Sequence, residues 1–380
     1  MSKRINIDSK TIRTTFVSQN GEMAFCVTEA DDTNAVNVTK IKTYDRDSDS
    51  FSSTELKPYF DDDLNMNILN ITATPDGGYF AQTSYSKYIP EKDESEAVYT
   101  GFTKYDSDGN AVFFKSADSY PSVAPDPSLT EYTEYAAFRA AQDSISDANG
   151  NIYIILKKLI GYSERNDTIY TEYDENITIL SPEGEFITAL YESDLEVYGL
   201  SNCSFALDSD KSIMIVENQF GSYHTRYIDI ENGCLTPAEP TYKPYLLTYF
   251  DYDGNYYYQN SFGFYNIVKD ENGNPSENLI FDWATVGIST SIIKNMIVKN
   301  ESELFIEILD GELPEYYHVK KFDISEAPER INLTIAIDGA KATTVSMTKF
   351  FDAVSRFNRS SDEYRMVFVS YSSTEGGLSA

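Results

Sequence analysis

The chain is poor in the side chains that most often carry catalysis or bind metals. Its 380 residues include two histidines, three cysteines and one tryptophan. The histidines, His224 and His318, are far apart and neither belongs to an H-E-x-x-H pair, so no zinc-hydrolase signature is present. Cys26, Cys203 and Cys234 are odd in number and show no C-x-x-C spacing, which excludes a disulfide framework or a zinc ribbon and leaves separate small core residues. A G-x-S-x-G elbow and a phosphate-cradling loop are also missing; Gly287-Ile288-Ser289-Thr290-Ser291 lacks the closing glycine. No metal or cofactor is therefore expected.

Positive charge is scarce as well. Thirty Lys and Arg face 61 Asp and Glu, a net charge of −31, which excludes binding to nucleic acid by phosphate neutralisation. No apolar run reaches membrane-spanning length, because the longest, Ile152 to Ile160, is interrupted by Lys157 and Lys158. Lys3 and Arg4 are not followed by an apolar stretch, so the N-terminus does not read as a signal peptide. An extracellular or cell-surface location is expected only if such a signal has been removed. Gly and Pro number 19 and 13, while 41% of residues are hydrophobic and 14% aromatic, enough to build a core and too many for a low-complexity chain.

What the chain does have is a repeat. A turn rich in Asp, Asn and Gly runs into a β-prone strand at Gly21, Gly77, Gly150 and Gly254, with weaker copies in which Lys211 and Ser302 take the place of the glycine. Apolar strands such as Ile68 to Ala73 and Cys203 to Leu207 precede the turn. A third strand follows and ends in a second polar turn, as at Tyr105-Asp106-Ser107-Asp108-Gly109-Asn110 and Ser181-Pro182-Glu183-Gly184, and then more strand-like residues. Four short antiparallel strands per unit, repeated at roughly 40 to 50 residues plus insertions, is the pattern of propeller blades. A β-sandwich also has short strands and regular turns, but does not repeat one turn-plus-strand unit six times. The fold expected for residues 1 to 328 is a six-bladed β-propeller. Blade six lacks an outer strand and Arg4-Ile5-Asn6-Ile7 is a spare one, so the N-terminus is expected to close the ring.

The pattern changes at Ser325 to Arg330, which reads as a linker. Ile331 to Ile337 alternates as a strand; Met347, Phe350, Phe351, Val354 and Phe357 recur at helical spacing; Tyr364 to Tyr371 is a second strand. Strand, helix, strand predicts a βαβ unit with parallel strands over 329 to 380. From Lys341 onward, Lys341, Lys349, Arg356, Arg359 and Arg365 balance Asp352, Asp362, Glu363 and Glu375, so the acidity belongs to the propeller. A single βαβ unit covers its own sheet poorly, and the chain reads as ending early in a second α/β domain.

The stretch Ile331-Asn332-Leu333-Thr334-Ile335-Ala336, followed by Phe350 to Phe357-Asn358 and Tyr364-Arg365-Met366, resembles the opening of an extracellular solute-binding protein of an ATP-binding-cassette importer. A propeller before such a domain is similar to certain lipoproteins of Gram-positive bacteria. The resemblance implies a non-enzymatic binding protein for a carbohydrate or peptide importer, with a small molecule or glycan as ligand and an importer permease as partner. The lipoprotein signal and most of the binding domain are missing from the chain.

Two further readings stay open beside it. A carbohydrate-active propeller enzyme needs only two suitably placed carboxylates, and residues from different blades would supply them, so spacing cannot expose the pair. The other is a protein-interaction scaffold. Tyr256-Tyr257-Tyr258, Phe262-Gly263-Phe264-Tyr265 and Tyr316-Tyr317 are either stacking platforms or blade packing. As ligand-binding candidates they put forward Tyr257, Phe264, Tyr265 and Tyr317. Asp106-Ser107-Asp108-Gly109-Asn110 and Asp270-Glu271-Asn272-Gly273 resemble pieces of calcium loops but lack the glycine at position six and the glutamate at twelve, and read as hairpin turns.

Overall fold

Six four-stranded antiparallel sheets follow one another along the chain in a computed structural model, which describes residues 2–8, 11–18, 21–30, 37–60, 64–89, 94–116, 143–165, 168–192, 195–197, 199–269, 274–309, 311–321, 330–338, 345–361 and 363–371. Blade one holds β2 (Ile12–Val17), β3 (Met23–Ala30), β4 (Asn37–Asp45) and β5 (Ser50–Leu56). Blade two holds β6 (Asn65–Ala73), β7 (Tyr79–Ile89), β8 (Glu94–Tyr105) and β9 (Ala111–Ser116). Blade three holds β10 (Asp143–Ser146), β11 (Ile152–Arg165), β12 (Thr168–Leu180) and β13 (Phe186–Tyr191). Blade four consists of β14 (Cys203–Leu207), β15 (Ile213–Gln219), β16 (Ser222–Asp229) and β17 (Cys234–Leu235), with β18 (Glu239–Pro240) also paired to β16. Blade five is β19 (Leu247–Phe250), β20 (Tyr256–Gln259), β21 (Gly263–Lys269) and β22 (Pro275–Asp282).

Blade six has three consecutive strands, β23 (Ile293–Asn300), β24 (Glu303–Ile308) and β25 (Glu315–Lys320), and takes its outer strand from the other end of the chain. There β1 (Ser2–Ile5) pairs antiparallel with β25, Ser2 opposite Val319 and Ile5 opposite Tyr316. The N-terminus closes the ring as expected, although the paired strand is Ser2–Ile5 and not residues 4 to 7. Ile5 then packs with Phe25, Val27, Tyr44, Phe305 and Tyr316 across the seam between blades six and one.

Turn chemistry explains why the repeat is visible in the sequence. Asp147 Oδ1 accepts the backbone N–H groups of Asn149 and Asn151, and its Oδ2 accepts the Asn151 side-chain amide, all at 2.9 Å. Asp251 holds Asp253 and Asn255 in the same way, and Asp106 holds Asp108 and Asn110. These carboxylates are therefore committed to Asx-type turns. Lys211 takes the left-handed conformation (φ 68°) that glycine has in the sister turns, whereas in blade six a tight connection pairs Asn300 with Glu303 directly. The turn beginning at Asp270 and the linker Ser325 to Glu329 lie outside the described residues.

Apolar side chains pack between consecutive blades: Phe16, Ala24 and Cys26 of blade one with Ile68, Ile71 and Ala81 of blade two, and Ile155, Ile177 and Ile179 of blade three with Leu207, Ile213 and Ile215 of blade four. Each fully buried aliphatic or aromatic side chain contributes roughly 1.5–3 kcal/mol.

After the propeller, β26 (Ile331–Asp338) and β27 (Tyr364–Tyr371) pair in parallel, with α2 (Val345–Ser360) between them in the chain. The unit rests on α1 (Trp283–Val286), the short helix that leads from blade five to blade six. Asn358 Nδ2 donates to the carbonyl of Ala284 at 2.7 Å, the hydroxyls of Ser289 and Ser291 donate to Asp352, and Phe262 packs on Phe351 and Phe368. The predicted strand–helix–strand arrangement is present. Two parallel strands and one helix are shared by many α/β proteins, so the arrangement alone does not make this unit the start of a solute-binding domain.

Candidate functional site in the central channel

The first strand of every blade, β2, β6, β10, β14, β19 and β23, faces the axis of the ring, and together they enclose a channel of about 710 Å³. That is within the usual range of roughly 300–1,000 Å³ for small-molecule sites. Each of these strands contributes a polar group to the channel: Thr14, Asn70, Asp143, Ser204, Thr248 and Asn295. In three blades a bulge precedes this residue, with register shifts between Ile12 and Thr14, Ile68 and Asn70, and Ile293 and Asn295. A bulge re-aims the following side chain and is a frequent companion of functional sites. No Lys or Arg is among the described residues that line the channel.

Asp143 is the exceptional member. Its Oδ2 accepts the backbone N–H of Phe205 from the next blade at 2.7 Å, and its Oδ1 accepts the N–H of Ser144 at 2.9 Å. The Ser144 hydroxyl donates to Asn70 Oδ1 at 3.1 Å, which links blade three to blade two. Desolvation by the surrounding channel wall pushes the Asp143 carboxyl up to about 6, and the two backbone donors only partly offset this. A carboxylate has about four acceptor positions, so Asp143 keeps lone pairs for a ligand. Asp251 also lines the channel but is taken up by its turn and by the Tyr257 hydroxyl, which donates to its Oδ2 at 2.7 Å. A carboxyl that exchanges its proton near neutrality inside a cleft is a chemically competent acid–base group.

None of the four residues put forward from the sequence lines this channel. Tyr257 and Phe264 are corrected outright: both are 0% exposed and stack on each other at 5.5 Å and 4° inside the core shared by blades five and six. Tyr265 lies half-buried, stacked on Tyr258 at 4.9 Å, and Tyr317 packs against the same core with its hydroxyl donating to Glu315 at 2.8 Å. Neighbouring aromatic positions on a strand point to opposite faces of a blade, and in a propeller both faces are packed. Asp143 carried no motif of its own. A usable signal was present: counting four residues back from the turn residues Ser18, Thr74, Asp147 and Asp208 gives Thr14, Asn70, Asp143 and Ser204.

Other reactive groups stand elsewhere. Burial pushes the thiols of Cys26 and Cys203 up to about 12, which keeps them protonated and unreactive. His318 is 1% exposed in the seam between blades six and one, and His224 is on β16; neither lines the channel. Among the described residues no group of three or more His, Cys, Asp or Glu is arranged to hold a metal ion, and no helix is long and apolar enough to cross a membrane.

No protein-family profile and no curated protein sequence matches the chain, so the resemblance to an importer's solute-binding lipoprotein gains no support from either. Solved structures do match. A luciferin-regenerating enzyme is 11% identical with a TM-score of 0.42, covering 85% of this chain and 97% of its own. A streptogramin B lyase is 15% identical with a TM-score of 0.37, covering 85% and 88%. A polysaccharide lyase is 10% identical with a TM-score of 0.37; the match covers 82% of this chain but only 58% of the lyase. These are likenesses of architecture, and the six-bladed β-propeller itself stands on the strand pairing described above. The expectation that the chain is not an enzyme is corrected at this point, because the solved structures similar to it include proteins named as enzymes.

Proposed function

We propose that the protein is a carbohydrate-active propeller enzyme whose substrate occupies the central channel, with Asp143 moving the proton. The observation that carries this reading is the Asp143 carboxyl, held near neutrality among hydroxyl and amide side chains of all six blades. Hydroxyl-rich ligands need many donors and acceptors of this kind, and a general base works best with its pKa close to the working pH. With Asp251 committed to its turn, the channel favours chemistry that needs one proton-transferring carboxyl over hydrolysis by a carboxylate pair. The surplus acidic charge suits a soluble protein working outside the cell.

The test is product release from a panel of oligosaccharides, by wild type and by Asp143→Asn. Turnover that rises with pH through about 6 and falls at least about a hundredfold in the variant supports the assignment. Turnover with an unchanged pH profile in the variant overturns it.

A further inference from the structure

The face of the ring on which the innermost strands begin carries exposed aromatic side chains on blades four and five. The tip of the β15–β16 hairpin presents Phe220, 84% exposed, and the segment leading into β19 presents Tyr245, 81% exposed, with Tyr242 beside it. Strand register places both at this end. Cys203, the first residue of β14, lies opposite Glu217, so Phe220 stands three residues past the level at which β14 begins; Tyr245 stands two residues before Leu247, the first of β19. The two segments are tied together, since the Tyr223 N–H donates to the Pro244 carbonyl at 2.6 Å and the Thr241 N–H to the Tyr223 carbonyl at 3.0 Å.

Phe220 is held there against its own backbone preference. Its φ is 51°, in the left-handed region that bulky side chains avoid, and the turn is secured by the Gly221 N–H donating to Asn218 Oδ1 at 2.8 Å. The two-residue turn between Gln219 and Ser222 requires positive φ at both central residues, and here it displays a large ring where Asn or Gly is usual. The charge of the rim narrows the ligand. Lys243, whose ammonium lies 5.4 Å from the centre of the Tyr242 ring, is paired with Glu277 at 2.5 Å, and the described lining of the channel beyond adds Asp143 and Asp251 and no basic residue.

We propose that Phe220, Tyr242 and Tyr245 form an outer subsite that stacks on the sugar rings of an uncharged oligosaccharide longer than the channel can hold. The inference rests on the reading of the channel as a carbohydrate site and adds to it the substrate class. Flat aromatic faces take up the apolar C–H face of a pyranose, while the hydroxyl, amide and carboxyl groups of the channel take its hydroxyls, and an anionic chain is repelled by the surrounding acidic surface.

The test compares the full chain with a Phe220→Ser/Tyr245→Ser variant by titration calorimetry, using xylohexaose, cellohexaose, maltohexaose and mannohexaose, the matching disaccharides, and hexagalacturonate as the charged probe. Both side chains are exposed, so an unchanged melting temperature verifies the fold of the variant. Support is binding of a neutral hexasaccharide by wild type that weakens about tenfold in the variant, while the disaccharide binds both alike. Equal hexasaccharide affinity in the two proteins, a preference for hexagalacturonate, or no binding of any neutral probe overturns the proposal. Its failure is separable from that of the catalytic reading. Rim-dependent binding with full turnover in Asp143→Asn leaves the subsite and removes the catalyst; lost turnover in Asp143→Asn with equal hexasaccharide affinity does the reverse.

Discussion

The carboxylate of Asp143, the first residue of blade three's inner strand, accepts the backbone N–H of Phe205 in blade four at 2.7 Å. An inner strand is the open edge of its blade, so its N–H groups lack a partner strand on the channel side. Here one blade satisfies the exposed edge of the next, and the group doing so is also the channel's titratable carboxyl.

Stability should carry the mark of that carboxyl. In the unfolded chain Asp143 titrates near 3.8, whereas in the folded protein it is pushed up to about 6 by desolvation. Between those values the folded state holds the proton that the unfolded state has released, so this contribution is fully present below pH 3.8 and is lost as pH rises through 6. The loss amounts to at most about 3 kcal/mol. Denaturant titrations of wild type and Asp143→Asn are expected to show the variant gaining by that amount relative to wild type between about pH 4 and pH 8.

His318 gives the opposite slope. Burial, helped by Arg46 and by Lys299 and Lys320, lowers its pKa to about 4, although Glu303 at 3.8 Å pulls the other way; its ring stacks on Phe305 at 4.6 Å and meets Tyr44 edge-on. The unfolded chain takes up a proton near 6.5 that the folded protein refuses, so stability falls as pH drops from 6.5 to 4, by about 3 kcal/mol. His318→Phe, which keeps a flat ring in the slot, is expected to remove this part of the acid sensitivity in matched melts at about pH 7 and pH 4.5.

Ring closure is testable at Ile5, which is 2% exposed in the seam. Ile5→Ala is expected to cost about 2–5 kcal/mol. Deleting residues 1 to 5 should cost more and promote association, because it bares the edge of β25. Melting temperature and light scattering measure the two effects.

Asn358 holds the C-terminal unit together. Its Oδ1 accepts the Met366 N–H at 2.7 Å, and its Nδ2 donates to the carbonyls of Met366 at 2.8 Å and Ala284 at 2.7 Å. Asn358→Ala removes all three bonds, an expected loss of about 2–4 kcal/mol at net values near 1 kcal/mol each. Hydrogen exchange should show lost protection in β27 with blades one to four unchanged.

Two glycines separate backbone strain from crowding. Gly221 (φ 84°) has no atom within 4 Å of a built Cβ, while at Gly254 (φ 78°) the Asp208 carbonyl carbon would lie 2.0 Å away. Gly221→Ala is expected to cost about 1–2 kcal/mol from conformation alone. Gly254→Ala should cost visibly more, since the backbone of blade four must move; paired urea denaturation curves give the difference.

Much of the architecture was legible because it rests on local chemistry. The Asp147 and Asp251 turns announce themselves by the Asp, Gly and Asn that their hydrogen bonds require, and even Lys211, aligned with glycines, adopts the glycine conformation. The pairing of Asn358 with Met366 likewise explains why Phe-Asn ahead of Tyr-Arg-Met stands out in the sequence. The aromatic strands misled for a physical reason: strand preference and ligand stacking select the same residues, and only burial tells Tyr257 and Phe264 in the core from Phe220 and Tyr245 on the rim.

By itself, then, the sequence determined the blade repeat, the six units, the borrowed N-terminal strand and the parallel βαβ at the C-terminal end, because turns and strand alternation are properties of neighbouring residues. Which of the 61 acidic side chains would matter was decided by the ring. Closing six sheets around an axis brings Thr14, Asn70, Asp143, Ser204, Thr248 and Asn295 to one wall, and desolvation there raises the Asp143 pKa. The spacing from the turns marks the equivalent positions in four blades, but only closure of the ring brings them together around one site.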